Sequence, residues 1–254
     1  MSEQQHAYLQ AMGIDIWVER EPVIKAEEIA FIEPEQAVAA EPVIVEAIPQ
    51  TVPEPEADHG SKIESLNWQE LQSAVAECQL CELSANRTKV IFGAGDQTAS
   101  LLILGDAPTV QDEQQGYPFS GEDGNLLTAM IKAMGYQRNQ VYLSNLVKCP
   151  TAEKQDPSDE EVAACDAYLQ RQVQLIQPKV ILALGSITAQ RLLKSKSTMS
   201  RLRGQLHYID GIAVPIIVTY EPGYLLRSPS EKRKAWEDLQ LAMKELSAAG
   251  AAAQ

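Results

Sequence analysis

The chain has 254 residues, ordinary apolar content and a formal net charge of −14, enough for one good-sized domain and a tail. No apolar run approaches the roughly 20 residues that cross a bilayer, and the opening MSEQQHAYLQ lacks the basic start and apolar core of a secretory signal. We therefore expect a cytoplasmic protein with no membrane partner, whose four cysteines bind metal rather than pair as disulfides.

The acidity is uneven. Residues 1–60 hold 13 acidic and 2 basic side chains, whereas residues 61–254 hold 22 and 19. The balance opposes tight non-specific DNA binding by the whole chain, because phosphate contacts need Lys and Arg.

Residues 1–22 read as a partner-docking peptide. Leu9, Met12, Ile14 and Trp17 have no core of their own nearby, and Trp17 is the natural anchor. Residues 23–60 form an acidic linker rich in Pro and Glu, in which EPVI recurs at each end of the 21–44 stretch. Proline removes donors and the acids repel, so this segment is expected to stay extended and disordered.

Residues 61–248 read as the domain. Asn67–Glu70 is a capping box, and Trp68, Leu71 and Val75 follow at helical spacing up to Cys78. SLLILG at 100–105 is a short buried strand that ends in Asp106-Ala107-Pro108-Thr109, a loop where open α/β sheets bind ligands. Residues 115–125 form a Gly-rich loop that carries Phe119, and Leu126–Met134 is a helix. Val141–Cys149 reads as a central strand, 141–147, that runs out into a loop and brings Asn145 and Cys149 to its exit. Ser158–Glu161 caps a helix, Val180–Leu184 and Val214–Thr219 are strands, and Ser230–Leu246 closes the domain as a helix. Alternating strands and helices predict an α/β fold, a three-layer α/β/α sandwich on a four-stranded parallel sheet.

The cysteines fall as C-x2-C at Cys78 and Cys81, then Cys149 and Cys165. Four thiolates suit tetrahedral zinc or a [4Fe–4S] cluster, and spacing alone leaves both open.

Taken together, these residues resemble the family 4 uracil-DNA glycosylases, the iron–sulfur branch of the uracil-glycosylase superfamily. The resemblance spans about residues 76–240 and rests on the cysteine spacing, GDAPT at 105–109, GYPFSGEDGNLL at 116–127, NLVKC at 145–149, PKVILALG at 178–185, LRG at 202–204 and YEPGYLLR at 220–227. It implies a [4Fe–4S] cluster on Cys78, Cys81, Cys149 and Cys165. It also implies a base pocket of Ala107, Phe119, Asn145 and Glu221, in which Phe119 stacks on an extrahelical uracil and Asn145 bonds its edge. Asp106 stands where the family has Glu, and would orient or activate water in an active enzyme. Thr109 replaces a Gly, and Glu221 replaces a His that can stabilise the departing uracil anion. A bare carboxylate about 4 Å from that anion would oppose it by roughly 4 kcal/mol.

A second resemblance links LQAMGIDIW at 9–17 to the N-terminal peptide of the psi subunit of the bacterial DNA polymerase III clamp loader. With the altered pocket, it leads us to expect a non-catalytic psi-like accessory subunit for DNA replication. Its peptide would dock on clamp-loader subunits and its domain on a chi-type subunit. The alternative is a family 4-like glycosylase excising uracil in base-excision repair. A third option is a single-strand DNA binder using Lys194, Lys196, Arg201, Arg203 and Arg227 on phosphates.

Overall fold

The computed structural model describes residues 62–151, 155–209 and 211–251. The expected docking peptide and linker, with Leu9, Met12, Ile14 and Trp17, lie outside the described residues.

The chain enters through α1 (Trp68–Glu77), α2 (Leu83–Asn86) and the edge strand β1 (Ala94–Gly95). Asn67 starts α1 by accepting from the amides of Gln69 and Glu70, while Glu70 returns a carboxylate to the Asn67 amide. β2 (Leu101–Gly105), α3 (Val110–Gln115), α4 (Gly121–Ala133) and β3 (Tyr142–Asn145) follow. Next come α5 (Asp159–Ile176), β4 (Val180–Leu184), α6 (Gly185–Leu192), α7 (Met199–Leu202), β5 (Leu206–Ile209) and β6 (Ile212–Thr219). α8 (Pro222–Arg227) and α9 (Lys232–Ala251) complete the domain.

The strands form one six-stranded sheet in the order β1-β3-β2-β4-β6-β5. Neighbours from β3 through β2 and β4 to β6 pair parallel, while β1 and β5 pair antiparallel at the two edges. The expected four-stranded parallel sheet is thus corrected to a mixed sheet of six. The edge strands escaped notice because one is the dipeptide Ala94-Gly95 and the other, Leu206–Ile209, is only half-buried.

Strand pleating sends alternate side chains to opposite faces. Leu101, Ile103, Val180, Leu182 and Ile217 pack with Leu127 and Ile131 of α4, Leu225 of α8 and Leu239 of α9. Leu102, Leu104, Ile181, Ile216 and Val218 pack on the other side with Leu169 and Val173 of α5, Leu192 of α6 and Leu202 of α7. Helices on both faces give the three layers. A smaller cluster, with Ile63, Leu71, Val75, Phe92 and Tyr168, seats α1 against α5.

Among the described residues, no helix is long and apolar enough to cross a membrane.

Candidate active site

The parallel strands β2, β3, β4 and β6 end on the same side of the sheet, and the polar residues singled out above leave from those ends. β2 ends at Gly105 opposite Asn145, the last residue of β3. The exit is shorter as a strand than expected. Beyond Asn145 the chain leaves the ladder, although Leu146 and Val147 still donate to the carbonyls of Gly105 and Asp106, at 2.9 and 3.1 Å.

Asn145 is 2% exposed, and its Oδ1 has no hydrogen-bond partner among the described residues. Buried acceptors are normally satisfied, so this atom is ready for a donor. The Phe119 ring lies beside it. A Cβ built on Gly105 would fall 2.5 Å from Asn145 Oδ1 and 2.7 Å from Phe119 Cζ, so only glycine lets strand, amide and ring meet.

Phe119 holds a left-handed φ of 57°, which for an aromatic residue costs about 1–3 kcal/mol. The surroundings enforce it. Asp112 Oδ1 accepts from the Ser120 amide at 2.6 Å, and Arg138 Nη2 donates to the carbonyls of Pro118 and Phe119, both at 2.8 Å. The expected loop over 115–125 is in fact shorter, because α4 starts at Gly121. Thr109 also acquires a definite task. Its hydroxyl caps α3 by accepting from the Asp112 amide at 3.1 Å, and Asp112 accepts from the Thr109 amide at 2.8 Å.

Beside this pair opens a cleft of about 550 Å³, lined by Asp106, Asp156, Gly185, Tyr220, Glu221 and Tyr224 among others. Phe119, Asn145 and Ala107 are not in its lining; Gly105 and Asp106 join the two halves. The Ala107 amide donates to Asp106 Oδ1 at 2.8 Å. Burial raises the Asp106 carboxyl above its ordinary range, opposed by that amide and reinforced by Asp156. Glu221 is raised as well, first by burial, then by the charge of Asp106, while Arg227 opposes the shift. Arg227 Nη2 lies 3.3 Å from Glu221 Oε1. The carboxylate read from sequence as bare is therefore paired. Gly185, with φ 88°, starts α6 against it, its built Cβ 3.3 Å from Glu221 Oε2.

The basic side chains divide. Arg203 is turned inward, 3.0 Å from buried Asp238 and over the Tyr220 ring, so the expectation of a phosphate contact there is corrected. Arg227 is engaged by Glu221, whereas Lys194, Lys196 and Arg201 are exposed.

None of the four cysteines forms a disulfide. Cys78 ends α1, Cys149 follows β3 and Cys165 lies in α5. Across these elements Cys81 feels the charges of Cys149 and Cys78, and Cys165 those of Cys149 and Cys81. Burial pushes the Cys165 thiol up to about 11, opposed by the Lys148 amide. Arg87 Nη1 donates to Cys149 Sγ at 2.9 Å. Among the described residues, no three His, Cys, Asp or Glu side chains are placed to hold a single metal ion. Lys148, 1% exposed, donates to Ser144 Oγ and Asn145 O, both at 2.7 Å. Burial lowers the Lys148 amine to about 7, opposed by the neighbouring Cys165.

Reasoning from sequence missed Gly105, Arg138, the Arg227 pairing and Lys148. The Gly of GDAPT was a usable signal for close approach. Arg138 had none, because it acts on backbone carbonyls up to 20 residues away.

Residues 92–240 match the family model described as the Uracil DNA glycosylase superfamily. The chain is 33% identical over 172 residues to the Type-4 uracil-DNA glycosylase of Archaeoglobus fulgidus, covering 65% of this chain and 86% of that protein. It is 35% identical over 172 residues to the Type-4 enzyme of Thermotoga maritima, covering 66% and 88%. With that of Pyrobaculum aerophilum it shares 31% over 182 residues, covering 69% and 93%. These matches overturn the expected non-catalytic, psi-like clamp-loader subunit. Likeness to glycosylases covers most of the domain, whereas the adaptor reading rested on about ten residues of tail, the acidic tether, Thr109, which caps α3, and Glu221, which proves to be paired.

Proposed function

The chain belongs to the uracil DNA glycosylase superfamily, and from that premise we propose that it excises uracil from DNA as a Type-4-like glycosylase in base-excision repair. The observation that carries this reading is the buried, unpartnered Oδ1 of Asn145 beside the Phe119 ring. An acceptor at that point fits the N3–H of uracil and rejects cytosine, whose N3 is itself an acceptor. Phe119 would stack on the extruded base.

Asp106, at the neighbouring strand end, orients a water and takes its proton as the water oxygen bonds to C1′ of the sugar. The C1′–N1 bond breaks, and uracil leaves as an anion that solvent protonates. Burial raises the Asp106 carboxyl above its ordinary range, which strengthens it as a base. Glu221, paired with Arg227, shares the cleft with Asp106.

Cys78, Cys81, Cys149 and Cys165 would hold a [4Fe–4S] cluster. The all-thiol donor set, its spread over the end of α1, the exit of β3 and α5, and the Arg87 guanidinium on Cys149 Sγ fit a negatively charged centre. When bound, the cluster supplies a structural cross-link between the end of α1, the exit of β3 and α5. Exposed Lys194, Lys196 and Arg201 would meet phosphates of single-stranded DNA.

The test is excision of uracil from a single-stranded oligonucleotide by the full chain and by Asp106→Asn. Release of free uracil that falls about a hundredfold or more in the variant supports the reading. No release by the wild-type chain with iron bound would overturn it.

A further inference from the structure

We propose that Arg138 is a positioning residue for base recognition, whose guanidinium fixes the backbone that presents Phe119 to the flipped base. The inference rests on the excision reading above and adds a residue to it.

Three observations carry it. First, Phe119 is one of three non-glycine residues with positive φ among the described residues, and its ring meets Asn145 at Gly105. A side chain held in that rare backbone region needs an outside restraint. Second, Arg138 supplies one with both terminal nitrogens of its guanidinium. Nη2 donates to Pro118 O and Phe119 O, both at 2.8 Å, while Nη1 donates to Gly124 O at 3.1 Å and Thr128 Oγ1 at 2.9 Å. Among the described residues, no carboxylate forms an ion pair with it. Its terminal nitrogens bond the turn that precedes α4 and, within that helix, Gly124 and Thr128. Third, the fit is tight. A Cβ on Gly124 would fall 1.8 Å from Phe119 O, so the Phe119 carbonyl is pressed into the start of α4 and held there by the guanidinium.

Arg138 opens the short 3-10 turn Arg138–Gln140, four residues before β3 begins at Tyr142. Asn145 ends that strand. The same short segment therefore places the residue that reads the base edge and clamps the residue that stacks on its face. Lysine cannot replace it, because one ammonium does not match four acceptors in a planar fork.

The experiment compares the wild-type chain with Arg138→Ala and Arg138→Lys. Three readouts are taken: uracil excision kinetics, binding of single-stranded DNA carrying non-cleavable 2′-fluoro-2′-deoxyuridine, and hydrogen exchange across residues 115–128. In Arg138→Ala, kcat/KM is expected to fall by about tenfold to a hundredfold, carried mainly by KM. Affinity for the fluorinated DNA falls in parallel, and exchange accelerates in that segment while β2 and β4 stay protected. Added methylguanidinium restores part of the affinity in Arg138→Ala, and Arg138→Lys lies between the two. If Arg138→Ala melts before it can be assayed, Arg138→Lys and the exchange data decide. Unchanged affinity with unchanged exchange in either variant overturns the proposal. A wild-type chain that binds and cleaves no uracil DNA overturns the excision reading instead, and the exchange comparison still judges the clamp.

Discussion

Replacing Glu221 by Gln tests how this site handles the negative charge of the departing base. A carboxylate about 4 Å from a uracil anion opposes it by roughly 4 kcal/mol at an effective dielectric near 20. Here the full penalty does not apply. Arg227 lies 3.3 Å from the same carboxylate, and the two side chains are 69% and 43% exposed, so solvent and the ion pair both screen the field. About 1–2 kcal/mol should remain, a factor of roughly 5–30 in rate. The titration has a definite sign. Asp106 must be ionised to act as base, so excision falls as pH drops through its raised pKa. Glu221 does least harm while protonated, so excision falls again as pH rises through its own raised pKa. Single-turnover excision of single-stranded uracil DNA across the pH range should trace both limbs in the wild-type chain. Glu221→Gln should keep the acid limb, lose the alkaline one and run about 5–30-fold faster above it. An identical profile in the two proteins would refute the electrostatic account.

Two further perturbations probe the rest of the site. In Gly105→Ala the new Cβ must displace Asn145 Oδ1 at 2.5 Å and Phe119 Cζ at 2.7 Å. Such overpacking costs about 1–3 kcal/mol of stability, and kcat/KM should fall by about a hundredfold; a variant as active as wild type would show that these two groups do not hold the base. Cys149→Ala should lower both the iron per chain and the melting temperature, by about 2–4 °C for each kcal/mol lost. Melting that stays put after complete loss of iron would contradict a structural cross-link.

How much of this was legible depended on the reach of each interaction. The apolar runs at 100–105 and 180–184 announce buried strands because both faces of a covered sheet select apolar residues, and β2 and β4 lie there. The capping boxes at Asn67 and Ser158 were readable because their bonds span three residues. The exit of β3 was read too long, since Leu146, Val147 and Cys149 are as buried as strand residues although the chain has left the ladder. Asp106, Phe119, Asn145 and Glu221 could be singled out by family likeness. What surrounds them could not. Arg227, the last residue of α8, reaches back to Glu221 at its N-cap rather than pairing at an i, i+4 spacing, and without that contact one acidic residue looked decisive against catalysis. Arg138 acts on carbonyls, which every residue carries, so no residue type marks its targets.

The wide separation of the four thiols bears on how the protein matures. Cys78 and Cys81 precede the whole sheet, whereas Cys149 and Cys165 come after its first three strands. An unfolded or nascent chain offers only the close pair, and the quartet assembles once β3 has zipped onto β2 and α5 has docked. A donated cluster would then be captured by a nearly finished fold rather than seeding one. Shortage of iron would leave a folded body with a loose seam between its first helix and α5, not an unstructured chain.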